Sequence, residues 1–148
     1  MALATVPIGE LLATRVEVAS GGHPLPIVLR ADGSVETVGE AGTLLGVVED
    51  PELSSAEIEL FRDDTIVFYT DGITEARTRH GMVGFGGLLS AVRGCVGFAA
   101  AEIAAHIEQQ LLDTDATQLR DDVALVVAQI AGGAGWSAQA AALQATTA

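Results

Sequence analysis

The sequence predicts an α+β fold in which antiparallel strands form sheets and helices pack on one face of a sheet. Short alternating or apolar runs, separated by turn residues, fill the first half of the chain. The hydrophobic period then lengthens to about four residues, and a final apolar run follows. With 148 residues, 49% of them apolar, the chain is long enough for one domain with its own core.

Six segments of the first half are predicted to be strands, because they alternate in polarity or combine β-branched and aromatic residues. They cover residues 2–6, 15–19, 26–30, 35–38, 57–60 and 65–69. Asp32-Gly33 is a strong two-residue hairpin signal. Asp63-Asp64 is expected to turn the fifth segment directly into the sixth, which would give an antiparallel meander.

The second half is predicted to contain two helices. Apolar residues at 88, 89 and 92 indicate a short helix after a cluster of glycines. Ile103, Ile107 and Leu111 recur every four residues, which indicates one face of a helix from about residue 99 to 112.

A last strand and a tail are expected to end the chain. Residues 123–130 form a continuous apolar run, which is typical of a central strand buried on both faces. From residue 132 the composition is reduced to mostly Ala, Gly, Gln, Ser and Thr. We therefore expect residues 132–148 to be a low-complexity tail, disordered or weakly helical.

The charge of the chain limits its partners. Twenty acidic residues against seven basic ones give a net charge of −13, which disfavours nucleic acid and anionic membranes as partners. The single cysteine excludes an intramolecular disulfide, and no apolar run approaches the roughly 18 residues of a membrane span. The N-terminus lacks the basic segment of a signal peptide, so a cytoplasmic protein is expected.

Two acidic sites flank two predicted core strands. Asp71-Gly72 follows the strand at 65–69 after one residue, Thr70, and Asp121-Asp122 directly precedes the strand at 123–130. Carboxylates are the ligands that hard cations prefer. However, Asp-Gly after a strand more often marks a turn or a helix N-cap, so the spacing alone leaves both interpretations open.

The sequence around these acids resembles a known family. Residues 69–77, YTDGITEAR, resemble the YTDG(V/I)TEAR signature of the PPM-type, metal-dependent serine/threonine phosphatases, in the bacterial SpoIIE/RsbU branch. Residues 119–125, LRDDVAL, resemble the terminal DD(I/V)TL motif of that branch. Segments similar to the GHP and LGV motifs of that branch precede them, at residues 22–24 and 45–47, and a segment similar to its FG motif lies between them, at residues 85–86.

The resemblance implies a fold, a site and an activity. Residues 1–131 would be the C-terminal portion of an α-β-β-α sandwich, in which antiparallel sheets carry helices on the outside. Asp71 and Asp121 would bind Mn²⁺ or Mg²⁺, with Asp122 and Gly72 supporting the site. Two such cations activate a water against a phosphate ester, so no protein nucleophile is needed. By the same resemblance, the substrate would be a phosphorylated anti-anti-sigma-factor-like protein.

Part of the family's pattern is absent from the sequence. Its earlier acidic motifs, of the forms GD-x-x-D and DVxGHG, do not occur, so the two-metal centre is expected to be incomplete and activity of this chain alone stays open. Without that half, exposed sheet surface should make the chain weakly stable or homo-oligomeric. The alternative is a catalytically inactive, truncated PPM module that acts by binding a protein.

A haloacid-dehalogenase-like phosphatase is a third hypothesis, since Asp-Gly-Ile-Thr after an apolar strand also occurs there. That chemistry needs a nucleophilic Asp at the position of Tyr69 and usually a downstream lysine, and the chain contains no lysine. The sequence therefore disfavours it.

Overall fold

The computed structural model describes residues 2–7, 13–47, 54–78, 81–112, 122–130 and 136–142. These residues form ten strands and three helices. In chain order they are β1 (Ala2–Pro7), β2 (Ala13–Ala19), β3 (Ile27–Leu29), β4 (Val35–Thr37), β5 (Ser55–Phe61), β6 (Thr65–Tyr69), α1 (Asp71–Glu75), β7 (Arg77–Thr78), β8 (Gly81–Met82), α2 (Gly84–Arg93), α3 (Ala100–Leu112), β9 (Ala124–Ile130) and β10 (Trp136–Ala142).

The strands form two main sheets and one small hairpin. Sheet 1 has the order β1-β2-β5, and sheet 2 has the order β10-β9-β6-β3-β4. Strands β7 and β8 pair separately. Each of the described strand pairs is antiparallel, as the sequence predicts.

Sheet 2 is the centre of the fold because both of its faces are covered. One face packs against α1, α2 and α3, and the other packs against sheet 1. Successive side chains of a strand point to opposite faces, so a strand covered on both sides must be apolar throughout, and all five residues of β6 are buried. The helix-side core contains Ile27, Leu29, Val67, Tyr69, Leu88, Val92, Ile103, Ile107, Leu125 and Val127, among others. The core between the sheets contains Val16, Val18, Val28, Leu60, Ile66, Phe68, Ala128 and Ile130.

The predicted meander through Asp63-Asp64 is wrong. Strand β5 pairs with β2 in sheet 1, whereas β6 pairs with β3 and β9 in sheet 2. Asp63 and Asp64 therefore form a corner between sheets, and Asp63 has a positive φ of 68°. The buried Asp64 carboxylate holds this corner, because it accepts hydrogen bonds from the Arg30 guanidinium at 2.8 Å and from two backbone amides.

The expectation for the tail is also wrong over part of its length. Trp136–Ala142 form β10, which pairs antiparallel with β9 from Trp136↔Ile130 to Ala142↔Ala124. The low-complexity composition gave no local strand signal. The edge of β9 nevertheless offers unpaired backbone groups, and a segment of small residues satisfies them by pairing.

Strand β9 departs from the prediction of burial on both faces at one residue. Val126 shares a face with the buried Ala128 and Ile130, yet 37% of it is exposed. Val126 pairs with Phe68 and so lies toward the end of sheet 2 at which β6 finishes. Within the described part of the chain, sheet 1 thus leaves the inner face of sheet 2 partly uncovered at this end.

The outer face of sheet 1, where its side chains are described on β2 and β5, carries mostly charged residues together with the half-exposed Phe61. Arg15 and Glu17 on β2 are exposed beside Glu57 and Glu59 on β5, and Arg15 lies within ion-pair distance of both glutamates. Exposed apolar side chains therefore occur on this face, at Phe61, as well as at the uncovered end of sheet 2, at Val126. The predicted weak stability or self-association remains a prediction.

Candidate metal centre

The carboxylate of Asp71 is presented to solvent by the end of a buried strand. The five residues of β6 are buried, Thr70 is half-buried, and Asp71 is exposed as the first residue of α1. Sequence analysis did not predict α1 or the β7–β8 hairpin after it, because five- and two-residue elements carry too little periodicity to detect. The expected position of Asp71, at the end of a core strand, is confirmed.

Antiparallel pairing brings the second acidic segment to the same edge. Tyr69 lies opposite Leu125, so the end of β6 and the beginning of β9 coincide. The backbone amide of Thr70 donates to the Ala124 carbonyl at 3.1 Å, which extends this pairing toward Asp122. Residues that are about fifty positions apart in sequence therefore meet beside Asp71.

Gly72 is required by the contact between these two segments. A Cβ added to Gly72 would lie 2.6 Å from the Asp122 carbonyl oxygen and 3.1 Å from its carbonyl carbon. Both obstacles are backbone atoms, which a rotamer change cannot move. The resemblance implied only that Gly72 supports a metal site, and the contact of Gly72 with the Asp122 carbonyl is a finding of the structure.

Asp121, the second predicted ligand, lies outside the described residues, and its role stays a prediction. Asp122 is exposed at the edge next to Asp71. Among the residues that the structure describes, no group of three or more His, Cys, Asp or Glu side chains is arranged to hold a metal ion. The donor chemistry at this edge, carboxylates on two adjoining turns, fits part of a hard-cation site.

Thr70 is a site residue that sequence analysis missed. Its hydroxyl donates to the Asp122 carbonyl at 2.8 Å and accepts from the Ala124 amide at 2.9 Å. A threonine before Asp-Gly suggests a helix N-cap, but the Thr70 side chain makes no capping hydrogen bond to α1. Local sequence suggests a capping role for this threonine, but it contains no information about a hydrogen-bond partner 52 positions away.

Three other reactive residue types take structural roles. His23 is exposed in its turn, and its carbonyl accepts a hydrogen bond from the Ser20 hydroxyl at 2.7 Å. Cys95 is buried, which raises the pKa of its thiol to about 11 and keeps it protonated at neutral pH. Burial also raises the pKa of Tyr69, so neither group is an activated nucleophile.

Comparison with known proteins identifies the family. The sequence profile of the family described as "Stage II sporulation protein E (SpoIIE)" matches residues 5–131. The chain belongs to the SpoIIE family. This membership confirms the resemblance to PPM-type phosphatases of the SpoIIE/RsbU branch, and the match covers both acidic segments of the candidate metal centre.

A curated relative supports the same assignment. The phosphoserine phosphatase RsbU of Bacillus subtilis (strain 168) is 30% identical over 110 residues. That alignment covers 74% of this chain but 33% of RsbU. The chain therefore matches only about a third of this relative's length.

Solved structures show that the fold is that of the family. Two structures of the SpoIIE phosphatase domain from Bacillus subtilis match 90% of the chain with a TM-score of 0.63, at 17% and 16% identity. The matched region is 57% and 60% of those chains, and the first of them was presoaked with Mn. The RsbU and RsbW domains of a Mycobacterium tuberculosis protein match 82% of the chain, with a TM-score of 0.57 and 24% identity.

In the portion that the structure describes, no helix combines the length and apolar character needed to cross a membrane.

Proposed function

We propose that residues 1–131 are the C-terminal portion of a Mn²⁺- or Mg²⁺-dependent phosphoserine/phosphothreonine protein phosphatase domain. The observation that supports this most strongly is the junction of the Asp71 turn with the Asp122 segment at one edge of sheet 2. Both segments are anchored on strands whose core residues are buried on both sides of the sheet. Such anchoring keeps acidic side chains at a fixed separation, which a metal site needs.

In this proposal Asp71 and Asp121 are metal ligands. Asp122 supports the site from the neighbouring position, and Gly72 allows the two turns to approach. Bound Mn²⁺ or Mg²⁺ would supply an activated water and would neutralise charge on the phosphate. The chain's own contribution is to hold Asp71 at the end of β6 and Asp122 just before β9, where both side chains are exposed.

We further propose that acidic residues outside residues 1–131 complete the centre. The exposure of Val126 supports this, because the uncovered part of the inner face lies at the same end of sheet 2 as Asp71. A segment that covers Val126 would lie beside the candidate ligands. The length of the matched SpoIIE domains, of which the chain spans 57% and 60%, is consistent with such a segment.

The proposed substrate is a phosphorylated anti-anti-sigma-factor-like protein. Support comes from the relative named as the phosphoserine phosphatase RsbU and from the M. tuberculosis protein whose RsbU domain accompanies an RsbW domain. The net charge of −13 disfavours nucleic acid and anionic membranes as partners and agrees with a cytoplasmic location.

Phosphate release from an anti-anti-sigma-factor protein phosphorylated on serine tests the proposal. In a protein that joins this chain to the segment supplying the remaining acidic residues, we expect release that depends on Mn²⁺ or Mg²⁺, with a loss of at least 100-fold in Asp71→Asn and in Asp121→Asn. Unchanged turnover in either variant would refute the ligand assignment. Complete absence of metal-dependent release by the joined protein without these substitutions would instead favour the inactive binding module.

Asp32→Asn is the matched control for these variants. Asp32 lies in the β3–β4 turn, which is at the opposite end of sheet 2 from Asp71, because β3 and β6 are antiparallel. Its carboxylate accepts a hydrogen bond from the Ser34 amide at 2.8 Å, and the amide oxygen of asparagine can accept the same bond. This variant should retain the activity of the unaltered chain.

A further inference from the structure

We infer that Thr70 is a positioning residue that fixes the segment carrying Asp121 and Asp122 against the turn carrying Asp71. Its side chain is hydrogen-bonded to the segment that contains Asp122, while its own backbone leads directly into the turn that contains Asp71. The inference rests on the proposed function where it concerns metal binding, but the connection itself is a property of the fold.

The hydroxyl of Thr70 is fully used in this connection. It donates to the Asp122 carbonyl at 2.8 Å and accepts from the Ala124 amide at 2.9 Å. The backbone amide of Thr70 adds a third bond, to the Ala124 carbonyl at 3.1 Å. One residue thus holds three backbone groups of the segment that leads from Asp122 into β9.

The helix that Thr70 precedes makes this use of the hydroxyl unusual. Thr70 occupies the N-cap position of α1, with φ −94° and ψ 158°, where a threonine hydroxyl ordinarily accepts from a backbone amide of the first turn. Here no such bond forms, and the side chain points across to the other strand instead. The hydroxyl therefore stabilises the junction of the two segments at the expense of the helix cap.

Gly72 shows that the spacing of this junction is tight. A Cβ at Gly72 would lie 2.6 Å from the Asp122 carbonyl oxygen, the same atom that accepts the hydrogen bond from Thr70, so Thr70 holds this carbonyl at a distance that only glycine at position 72 permits. Metal affinity depends steeply on the separation and orientation of the ligands. Loss of the Thr70 hydroxyl should release the Asp122 segment and weaken the cation site without removing any ligand.

The test compares Thr70→Val, which removes the hydroxyl but keeps the shape, with Thr70→Ser, which keeps the hydroxyl. Thr37→Val is the matched control, because Thr37 is exposed on β4, the edge strand of sheet 2. Two quantities are measured at a temperature where all variants are folded. They are the exchange rate of the Ala124 amide without metal, followed by NMR, and the affinity for Mn²⁺, followed by the EPR signal of the free ion.

In Thr70→Val, we expect the Ala124 amide to exchange at least tenfold faster and Mn²⁺ to bind at least tenfold more weakly. In Thr70→Ser and Thr37→Val, both quantities should stay within threefold of the unaltered chain. A Thr70→Val variant that binds Mn²⁺ as the unaltered chain does would overturn the inference, even if its stability has fallen.

Asp71→Asn separates this inference from the proposed function. If the unaltered chain binds Mn²⁺ and Asp71→Asn does not, the proposed centre stands, and the Thr70 variants decide the positioning role alone. If Asp71→Asn binds Mn²⁺ as tightly as the unaltered chain, the proposed centre is wrong and Thr70 positions no metal ligand, whatever the exchange rate of Ala124.

Discussion

Replacement of Gly72 by alanine tests whether the two acidic segments are as closely packed as the structure indicates. Two opposing effects must be weighed. Gly72 lies in α1 with an ordinary helical backbone, so alanine should stabilise the folded state by about 0.4–1 kcal/mol through the unfolded chain and helix propensity. Against this, the new methyl group would lie 2.6 Å from the Asp122 carbonyl oxygen and 3.2 Å from Val123 Cγ2.

The steric effect should prevail. Overpacking of a buried site costs about 1–3 kcal/mol, and here the obstacle is a backbone carbonyl that the Thr70 hydroxyl also holds in place. We therefore expect a net loss of about 1.3 kcal/mol in the free energy of unfolding. With a urea m-value of about 2 kcal/mol/M, the unfolding midpoint would fall by about 0.65 M.

The assay is urea unfolding followed by circular dichroism, with Gly86→Ala as the control. Gly86 is also helical, in α2, and a Cβ there would meet no atom within 4 Å, so alanine should raise the midpoint slightly. A Gly72→Ala variant that unfolds at the same or higher urea concentration than the unaltered chain would refute the close approach of the two segments.

Three further predictions concern the scaffold. Asp64→Ala should lower the free energy of unfolding by about 3 kcal/mol, because it leaves two backbone amides at the sheet corner without their acceptor and removes one partner of Arg30, which keeps Glu36. Glu59→Gln, at an exposed ion pair, should change it by less than about 0.5 kcal/mol in the same chemical denaturation. Equal effects would contradict the role of Asp64. Cys95 should resist a thiol reagent such as DTNB at pH 8 unless the chain is unfolded, and rapid labelling of the folded chain would show that the thiol is accessible. Because the folded pKa of Cys95 is about 11 and its ordinary value is 9.0, the stability that the neutral thiol contributes should be present below pH 9 and lost as the pH rises toward 11. Val127→Thr should lower the free energy of unfolding, measured by thermal denaturation, by about 2 kcal/mol, because Val127 is fully buried. Val126→Thr should lower it by less than about 0.5 kcal/mol, because Val126 is partly exposed. Similar losses in the two variants would mean that Val126 is covered.

Local pattern was sufficient for most elements of this fold. Strand β6 and helix α3 are recognisable from their own residues, because burial on two faces or on one helical face imposes a pattern within a few turns. The same applies to the position of Asp71, which depends only on where β6 ends.

Features that depend on distant parts of the chain were not predictable from pattern. Whether β5 pairs with β6 depends on the corner at Asp64 and its bond to Arg30, 34 positions earlier. The strand β10 exists because β9 offers an edge, which the composition of residues 136–142 does not reveal. The exposure of Val126 depends on how far sheet 1 extends, and the role of Thr70 depends on a partner 52 positions away.

Calorimetric titration with Mn²⁺ tests the central claim most directly, namely that the edge shared by β6 and β9 is a metal centre. The account predicts saturable binding to the unaltered chain and to Asp32→Asn, and loss of that binding in Asp71→Asn and Asp121→Asn. Absence of saturable binding, or equal binding by all four proteins, would contradict it.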